Sequence, residues 1–188
     1  MTSSNNTHRL HKLEPSPFLN DPITGWPISK DLITNLQSRQ WILEATANKD
    51  EERNKIWEAC SQSPIFWLNF FGWTYNVKAV DENGREIPAE TQHVPFNTWD
   101  VQDSALMTLM ACVDEGNDAI IDKSRDMGAS WLCVALATWY WLFRPDTQIL
   151  LVSRVEDLVD RRGDPDCLMW KIDYMISNLP EWMVPGKA

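Results

Sequence analysis

The chain has 188 residues, which suits one domain or one domain with an arm, and 44% of them are hydrophobic, enough for a substantial core. Its formal net charge of −10 argues against a protein that coats DNA through a broad basic face, but it is compatible with a local basic groove and with Mg-nucleotide binding. The four cysteines form no CxxC pair and lie far from the histidines, so no zinc site is expected.

Residues 1–30 are rich in Ser, Asn and Pro and lack helical or strand periodicity, which predicts a flexible N-terminal arm. Residues 31–95 are predicted to form a helical and aromatic linker region. In its first helix, five large apolar residues are expected on the buried side: Leu32, Ile33, Leu36, Trp41 and Leu43. A second helix is expected in DEERNKIWEACSQS, whose acidic residues begin the segment, where the helix dipole favours them.

The aromatic stretch SPIFWLNFFGWTYNVKAV is expected to pack these helices onto the main domain. After it, NVKAVDENGREIPAETQHVPF is predicted to form an exposed hairpin or excursion, with Asn83-Gly84 as its turn. No internal repeat is visible along the chain.

The pattern from residue 96 onward predicts the opening of a parallel α/β sheet. A helix should begin at Asn97 or Thr98 and close at Gly116, with one apolar face that contains Val101, Ala105, Leu109 and Val113. It is followed by a strand (118–122), a loop, a helix (129–143) and a second strand (147–153), and then by two helical pieces broken at Gly163-Asp164-Pro165. Because a sheet needs more strands than these, we expect the chain to stop inside a fold. The longest apolar run, WLCVALATWYWLF, is too short to span a bilayer, so a buried helix and no membrane partner are expected.

The loop before this helix has nearly the spacing of a phosphate-binding loop, GxxxxGK[ST]. The aligned residues are Lys123, Ser124, Arg125, Asp126, Met127, Gly128, Ala129 and Ser130. Ala129 replaces the usual lysine, but the long side chain of Lys123 could bring its ammonium group to the same place. Arg125 adds a second cation, and Ser130 could reach a magnesium ion. In the alternative interpretation, both cations are solvated and Ser130 is only a cap residue.

Two residues upstream of the loop could recognise a base. The ring of Phe96 could stack on adenine, and the amide of Gln102 could both donate to and accept from its edge. In the alternative interpretation, Gln102 is an exposed helix position and Phe96 packs at the start of the helix. The residues alone favour this simpler alternative.

Four segments in this order resemble the large terminase subunit, the ATP-driven DNA-packaging motor of tailed bacteriophages. The Lys-Ser-x-x-x-Gly-x-Ser loop resembles that family's deviant Walker A motif, and PFNTWDVQ resembles its adenine-reading Q motif. FWLNFFGWTYN resembles the aromatic segment before the ATPase core, and ILLVSRVEDLVDRRGDPDCLMWKIDYMISNLPEWM resembles the segment after Walker A. The likeness covers roughly residues 50–185.

The resemblance implies that residues 96–188 are the N-terminal part of a P-loop ATPase domain of the ASCE/RecA-like type, with ATP and Mg²⁺ as cofactors. Lys123 would contact the β and γ phosphates, Arg125 would contact or sense the γ phosphate, and both are candidate catalytic residues. Ser130 would bind magnesium, and Phe96 with Gln102 would hold adenine. Implied partners are double-stranded DNA, the portal protein, the small terminase subunit and other copies in a ring, in the host cell cytoplasm.

The sequence also departs from that family. No apolar strand ending in Asp-Glu follows the loop, and no nuclease domain follows, so we expect this chain alone to bind nucleotide weakly and to hydrolyse it poorly or not at all. Two alternatives stay open. One is a superfamily 2 helicase-like ATPase fragment, which the displaced lysine disfavours. The other is a non-catalytic assembly module of the packaging machine whose tryptophan-rich surfaces dock to other parts.

Overall fold

The computed structural model describes residues 18–76, 85, 88, 92–124 and 127–186. In this part of the chain the fold is mixed α/β. Its six α-helices are α1 (Leu32–Thr46), α2 (Asp50–Gln62), α3 (Pro64–Phe71), α4 (Asp100–Glu115), α5 (Ala129–Phe143) and α6 (Leu168–Ser177). Four short strands form two antiparallel pairs, β1 (Phe18–Asn20) with β2 (Pro27–Ser29) and β3 (Trp73–Tyr75) with β4 (His93–Pro95).

The β1–β2 hairpin lies within the range predicted as a flexible arm. Asp21 organises its turn, because one carboxylate oxygen accepts hydrogen bonds from the backbone N–H of Thr24 (2.6 Å) and from its hydroxyl (2.8 Å). The other oxygen accepts from Ser63 Oγ at 2.7 Å, which ties the hairpin to the start of α3. Ile28 is buried in the core. Residues 18–30 are therefore an ordered part of the fold, and residues 1–17 lie outside the described part.

The helix α3 is the centre of the core, and all eight of its residues are buried. Ser63 caps its first turn by accepting from the backbone N–H of Phe66, and Pro64 occupies the first helical position, where no N–H is needed. Helices α1, α2, α4 and α5 all contact it. The prediction that the aromatic stretch joins the first helices to the rest of the protein is confirmed.

The helix α1 forms where it was predicted but buries a different face. The five apolar residues expected inside are each between 41% and 68% exposed: Leu32, Ile33, Leu36, Trp41 and Leu43. The buried positions are instead Asn35, Arg39, Ile42 and Thr46.

The buried face of α1 is polar and donates hydrogen bonds to the end of α3. The guanidinium of Arg39 donates to the carbonyl oxygens of Leu68 (3.0 Å) and Gly72 (2.8 Å) and to Asn35 Oδ1 (2.7 Å), and it lies 5.2 Å from the ring of Trp73. Burial lowers the pKa of Arg39 to about 9. This side chain therefore adds side-chain donors at the C-terminal end of α3, where the Leu68 and Gly72 carbonyl oxygens also accept from the backbone N–H groups of Gly72 and Phe96.

Strand β3, just before the segment predicted as a hairpin or excursion, pairs with β4 near the end of that segment, and the predicted Asn83-Gly84 turn lies outside the described residues. The next helix, α4, begins at Asp100, two residues later than the latest predicted start, and ends at Gly116 in the left-handed conformation as predicted. Its buried residues are Gln102 and Leu106, whereas Val101 and Val113 of the predicted face are more than half exposed.

The helix α5 has the predicted bounds, but neither predicted strand beside it forms. Residues 118–122 and 147–153 have no strand assignment, and the described residues contain no parallel sheet. A strand is stabilised by a ladder partner, and no described segment pairs with either stretch. Ile120 is accordingly 97% exposed and Leu150 is 87% exposed. After a 3₁₀ turn, Glu156–Leu158, the chain forms α6 against α5. None of the helices in the described ranges has both the length and the apolar character that crossing a bilayer requires.

Candidate functional site

A cavity of about 640 Å³ lies at the N-terminal end of α5. This volume is within the roughly 300–1,000 Å³ range of small-molecule sites. Six of the predicted site residues line it: Phe96, Gln102, Lys123, Gly128, Ala129 and Ser130. Of the other loop residues, Ser124 is exposed outside the cavity lining and Met127 is half-buried beside it. Arg125 and Asp126 lie outside the described residues, so their predicted contacts stay predictions.

Gly128 gives the loop its shape. Its φ of +71° lies in the left-handed region, which glycine adopts without strain, and it is the residue from which α5 begins. A Cβ atom at this position would lie 3.1 Å from Nε2 of Gln102. The loop backbone therefore packs against the Gln102 amide at a distance that leaves little room for a side chain.

Gln102 connects α4 to the loop. Its Nε2 donates to the carbonyl oxygen of Met127 at 3.3 Å, and its Oε1 accepts from the backbone N–H of Trp99 at 3.0 Å. The second contact supports the first turn of α4 in the manner of a capping box. Gln102 is buried, unlike the exposed helix position of the simpler alternative, and its amide keeps one N–H and one lone pair beyond these two bonds.

The polar end of the cavity has the features of an anion site. The fifteen-residue helix α5 points its N-terminus at the cavity, with Ala129 and Ser130 in its first turn, and unpaired backbone N–H groups at such an end favour negative charge. Lys123 adds an exposed ammonium group to the same wall. The sequence brings these features together locally, because they lie within eight consecutive residues.

The start of α4, which carries Gln102, is fixed by a buried polar network. Lys30 Nζ donates to Thr98 Oγ1 at 2.7 Å and forms an ion pair with Asp103 at 2.8 Å. Thr98 also donates to Asp103 and accepts from Asn69 Nδ2 of α3 at 2.8 Å. The network joins Lys30, which follows β2, to α3 and to the start of α4, so the first turn that carries Gln102 is tied to the protein core.

The cavity lining also contains residues that the sequence alone did not single out. Tyr75 and Trp131 line the cavity, and each ring packs edge-on against Tyr174, with centroids 5.8 Å and 5.9 Å from it. Lys171 also lines the cavity and lies 5.6 Å from the centroid of the Trp131 ring. Trp131 directly follows Ser130. A large aromatic residue in the first helical turn after a phosphate-type loop could therefore have indicated from the sequence that Trp131 lines the cavity.

Lys171 is a structural cation in this arrangement. Its ammonium group donates to the carbonyl oxygens of Pro165 (2.8 Å), Asp166 (2.6 Å) and Cys167 (3.2 Å), which hold the turn before α6. Burial lowers its pKa, and the nearby carboxylate of Asp166 partly offsets that effect. With three donors directed at three carbonyl oxygens, Lys171 has no N–H left for an anion.

Metal ligands are sparse around the cavity. Within the described ranges, no group of three or more His, Cys, Asp and Glu residues is placed to hold a metal ion. A magnesium ion delivered with a nucleotide needs few protein ligands, because phosphate oxygens and water supply most of them. Ser130 fits that limited role through its position in the first turn of α5.

Comparisons with known proteins do not identify a family. No family model matches the chain, and neither a curated protein nor a solved structure matches it.

Proposed function

We propose that this chain is the nucleotide-binding, N-terminal portion of a viral DNA-packaging motor ATPase of the large terminase type. In the intact motor, ATP hydrolysis would drive DNA into the capsid. One observation carries the proposal: residues from two separate motifs line a single cavity. Phe96 precedes α4 and Gln102 lies in its first turn, whereas Lys123 and Gly128 belong to the loop before α5 and Ala129 and Ser130 to the first turn of α5.

The residues present fit a magnesium nucleotide. The left-handed Gly128 lets the loop backbone turn toward the cavity without a side chain in the way, and the N-terminus of α5 offers N–H groups to phosphate oxygens. In this proposal Lys123 neutralises the β and γ phosphates, Ser130 contacts magnesium, and Arg125 contacts or senses the γ phosphate. ATP would supply the phosphoanhydride bond that is broken, and Mg²⁺ would neutralise the negative charge that develops in the transition state.

The unpaired segments beside α5 fit a P-loop ATPase domain as well. Residues 147–153 read TQILLVS, and such a continuous apolar run is typical of strands covered on both faces of a parallel sheet. Ile149 and Leu151 line an apolar cavity with residues of α5 and α6, whereas Leu150 and Val152 are exposed. Ile149 is still 41% exposed, so α5 and α6 shield this side of the segment only in part. We expect weak nucleotide binding and little hydrolysis from this chain alone.

The test is a titration with a fluorescent ATP analogue and Mg²⁺, comparing wild type with Lys123→Ala. A charge-assisted hydrogen bond contributes roughly 1.5–3 kcal/mol, so the variant should bind about 10- to 100-fold more weakly. Lys49→Ala is the matched control, because Lys49 is an exposed lysine at the start of α2, away from the cavity lining. Equal binding by wild type and Lys123→Ala would mean that the loop is structural.

A second candidate function, a non-catalytic assembly module, is favoured by the exposed apolar surface of α1. Leu32, Leu36 and Leu43 are spaced to lie along one side of that helix, and each is at least 41% exposed. This function predicts no saturable nucleotide binding by the wild type. The same titration therefore separates the two candidates.

A further inference from the structure

Phe96 and Gln102 are already largely engaged within the protein. Phe96 lines the cavity but is only 6% exposed and belongs to the hydrophobic core, so little of its ring surface is available to a ligand. The amide of Gln102 is held by Trp99 and Met127. If the cavity takes a nucleotide, its base needs a different flat surface.

Tyr75 and Trp131 provide such a surface. Both line the cavity, both are half-buried, and both pack against the buried ring of Tyr174. Tyr75 is held further by Trp170, at a centroid distance of 5.4 Å, and Trp131 by the ammonium group of Lys171. Rings held in this way lose little side-chain entropy when a ligand stacks on them.

The position of Trp131 also suits a base. It follows Ser130 in the first turn of α5, so a molecule with phosphates at the helix N-terminus would extend past its side chain. The other exposed ring at the cavity, Trp99, is 55% exposed, and no ring contact to it is found among the described residues. Trp99 would have to be immobilised on binding, which disfavours it as the surface.

We propose that Tyr75 and Trp131 form the wall on which the nucleotide base stacks, an inference that rests on the proposed function. The phosphates lie at Lys123 and the start of α5, and the base lies against this aromatic wall. Stacking of a base on an aromatic side chain is worth about 1–3 kcal/mol, or roughly 5- to 150-fold in affinity.

The experiment compares ATP with inorganic tripolyphosphate, which has the phosphates but no base, by calorimetric titration with Mg²⁺. Trp131→Leu keeps an apolar side chain against Tyr174 but removes the stacking surface, so it should weaken ATP binding at least fivefold and leave tripolyphosphate binding within twofold of wild type. Trp131→Phe should restore most of the lost ATP affinity. Trp41→Leu on α1, away from the cavity, is the matched control and should change neither.

The outcomes separate the two proposals. Unchanged ATP binding by folded Trp131→Leu, or equal weakening of both ligands, would overturn the stacking wall while leaving the phosphate site in place. Absence of binding of either ligand to the wild type would overturn the proposed function and the wall with it. If Trp131→Leu fails to fold by circular dichroism, Tyr75→Leu takes its place with the same expected pattern, and failure of that pattern counts against the wall.

Discussion

Gly128→Ala tests how the phosphate-type loop is held against α4. The substitution forces a residue with a side chain to adopt a φ of +71°, which costs roughly 1–2 kcal/mol. It also places a Cβ atom 3.1 Å from Nε2 of Gln102. Because that amide is fixed by its bonds to Met127 and Trp99, it cannot move aside without weakening them.

The cost of crowding the Gln102 amide can be separated from the backbone cost by comparison with Gly116, which has the same φ of +71° at the end of α4. A Cβ atom there would meet no atom of the described residues within 4 Å. Gly116→Ala should therefore show the backbone effect alone, about 1 kcal/mol after the loss of unfolded-state entropy is included. Gly128→Ala should lower the free energy of unfolding by about 1 kcal/mol more than Gly116→Ala does. Each net hydrogen bond contributes roughly 0.5–1.5 kcal/mol, and the added Cβ strains both hydrogen bonds of the Gln102 amide.

The assay is urea denaturation followed by circular dichroism, for wild type, each single variant and the double variant with Gln102→Ala. In the Gln102→Ala background, Gly128→Ala should destabilise no more than Gly116→Ala, because the crowded amide is gone. The cycle should thus give a coupling energy of about 1 kcal/mol between positions 102 and 128. A coupling below about 0.3 kcal/mol, or equal costs for the two glycines in the wild-type background, would refute the tie between loop and helix.

Three further substitutions have expected outcomes. Arg39→Met removes three buried hydrogen bonds together with a costly buried charge, so we expect a net loss of roughly 2–4 kcal/mol in urea denaturation, and an unchanged midpoint would refute its role at the end of α3. Burial raises the pKa of Tyr174 to about 12, so the contribution of its neutral form to stability is present below pH 10 and is lost as the pH rises toward 12. Tyr174→Phe should therefore reduce the fall in melting temperature over that pH range. The same fall in the variant and the wild type would contradict this prediction. Asp103→Asn should cost about 1 kcal/mol at low salt through its pair with Lys30, and this difference should shrink in 1 M NaCl; a salt-independent cost would assign it to hydrogen bonding alone.

The parts of the fold that local signals determine were predictable from the sequence. Gly128 and the Arg144-Pro145 pair bracket α5, and Gly116 ends α4 in the left-handed conformation that the sequence indicated. The loop residues of the candidate site were predictable for the same reason, because a short loop at a helix start brings its own residues together.

The buried side of α1 could not be predicted from hydrophobicity. Asn35 and Arg39 are buried where their side chains donate to carbonyl oxygens at the end of α3, and those acceptors lie 29 or more positions along the chain. The pattern of apolar residues carries no information about such distant acceptors. Tyr75 and Lys171 reach the cavity through the same kind of long-range packing, so no spacing rule indicated them.

The predicted strands show a different limit. Apolar content favours a strand at 118–122 and 147–153, but a strand forms only when a second backbone segment supplies its hydrogen bonds. The prediction of two strands was wrong for the described residues, because the apolar pattern does not reveal whether a partner segment is present.

The unpaired apolar segment from Ile149 to Val152 affects the solubility expected of this protein. An extended segment with exposed apolar side chains and no strand partner is prone to aggregation, because the same segments of two molecules can pair as β-strands. The formal net charge of −10 opposes such association at neutral pH. Mild acidification neutralises carboxylates and lowers this net negative charge. The protein should therefore aggregate, seen as turbidity, at a pH where the fold is still intact.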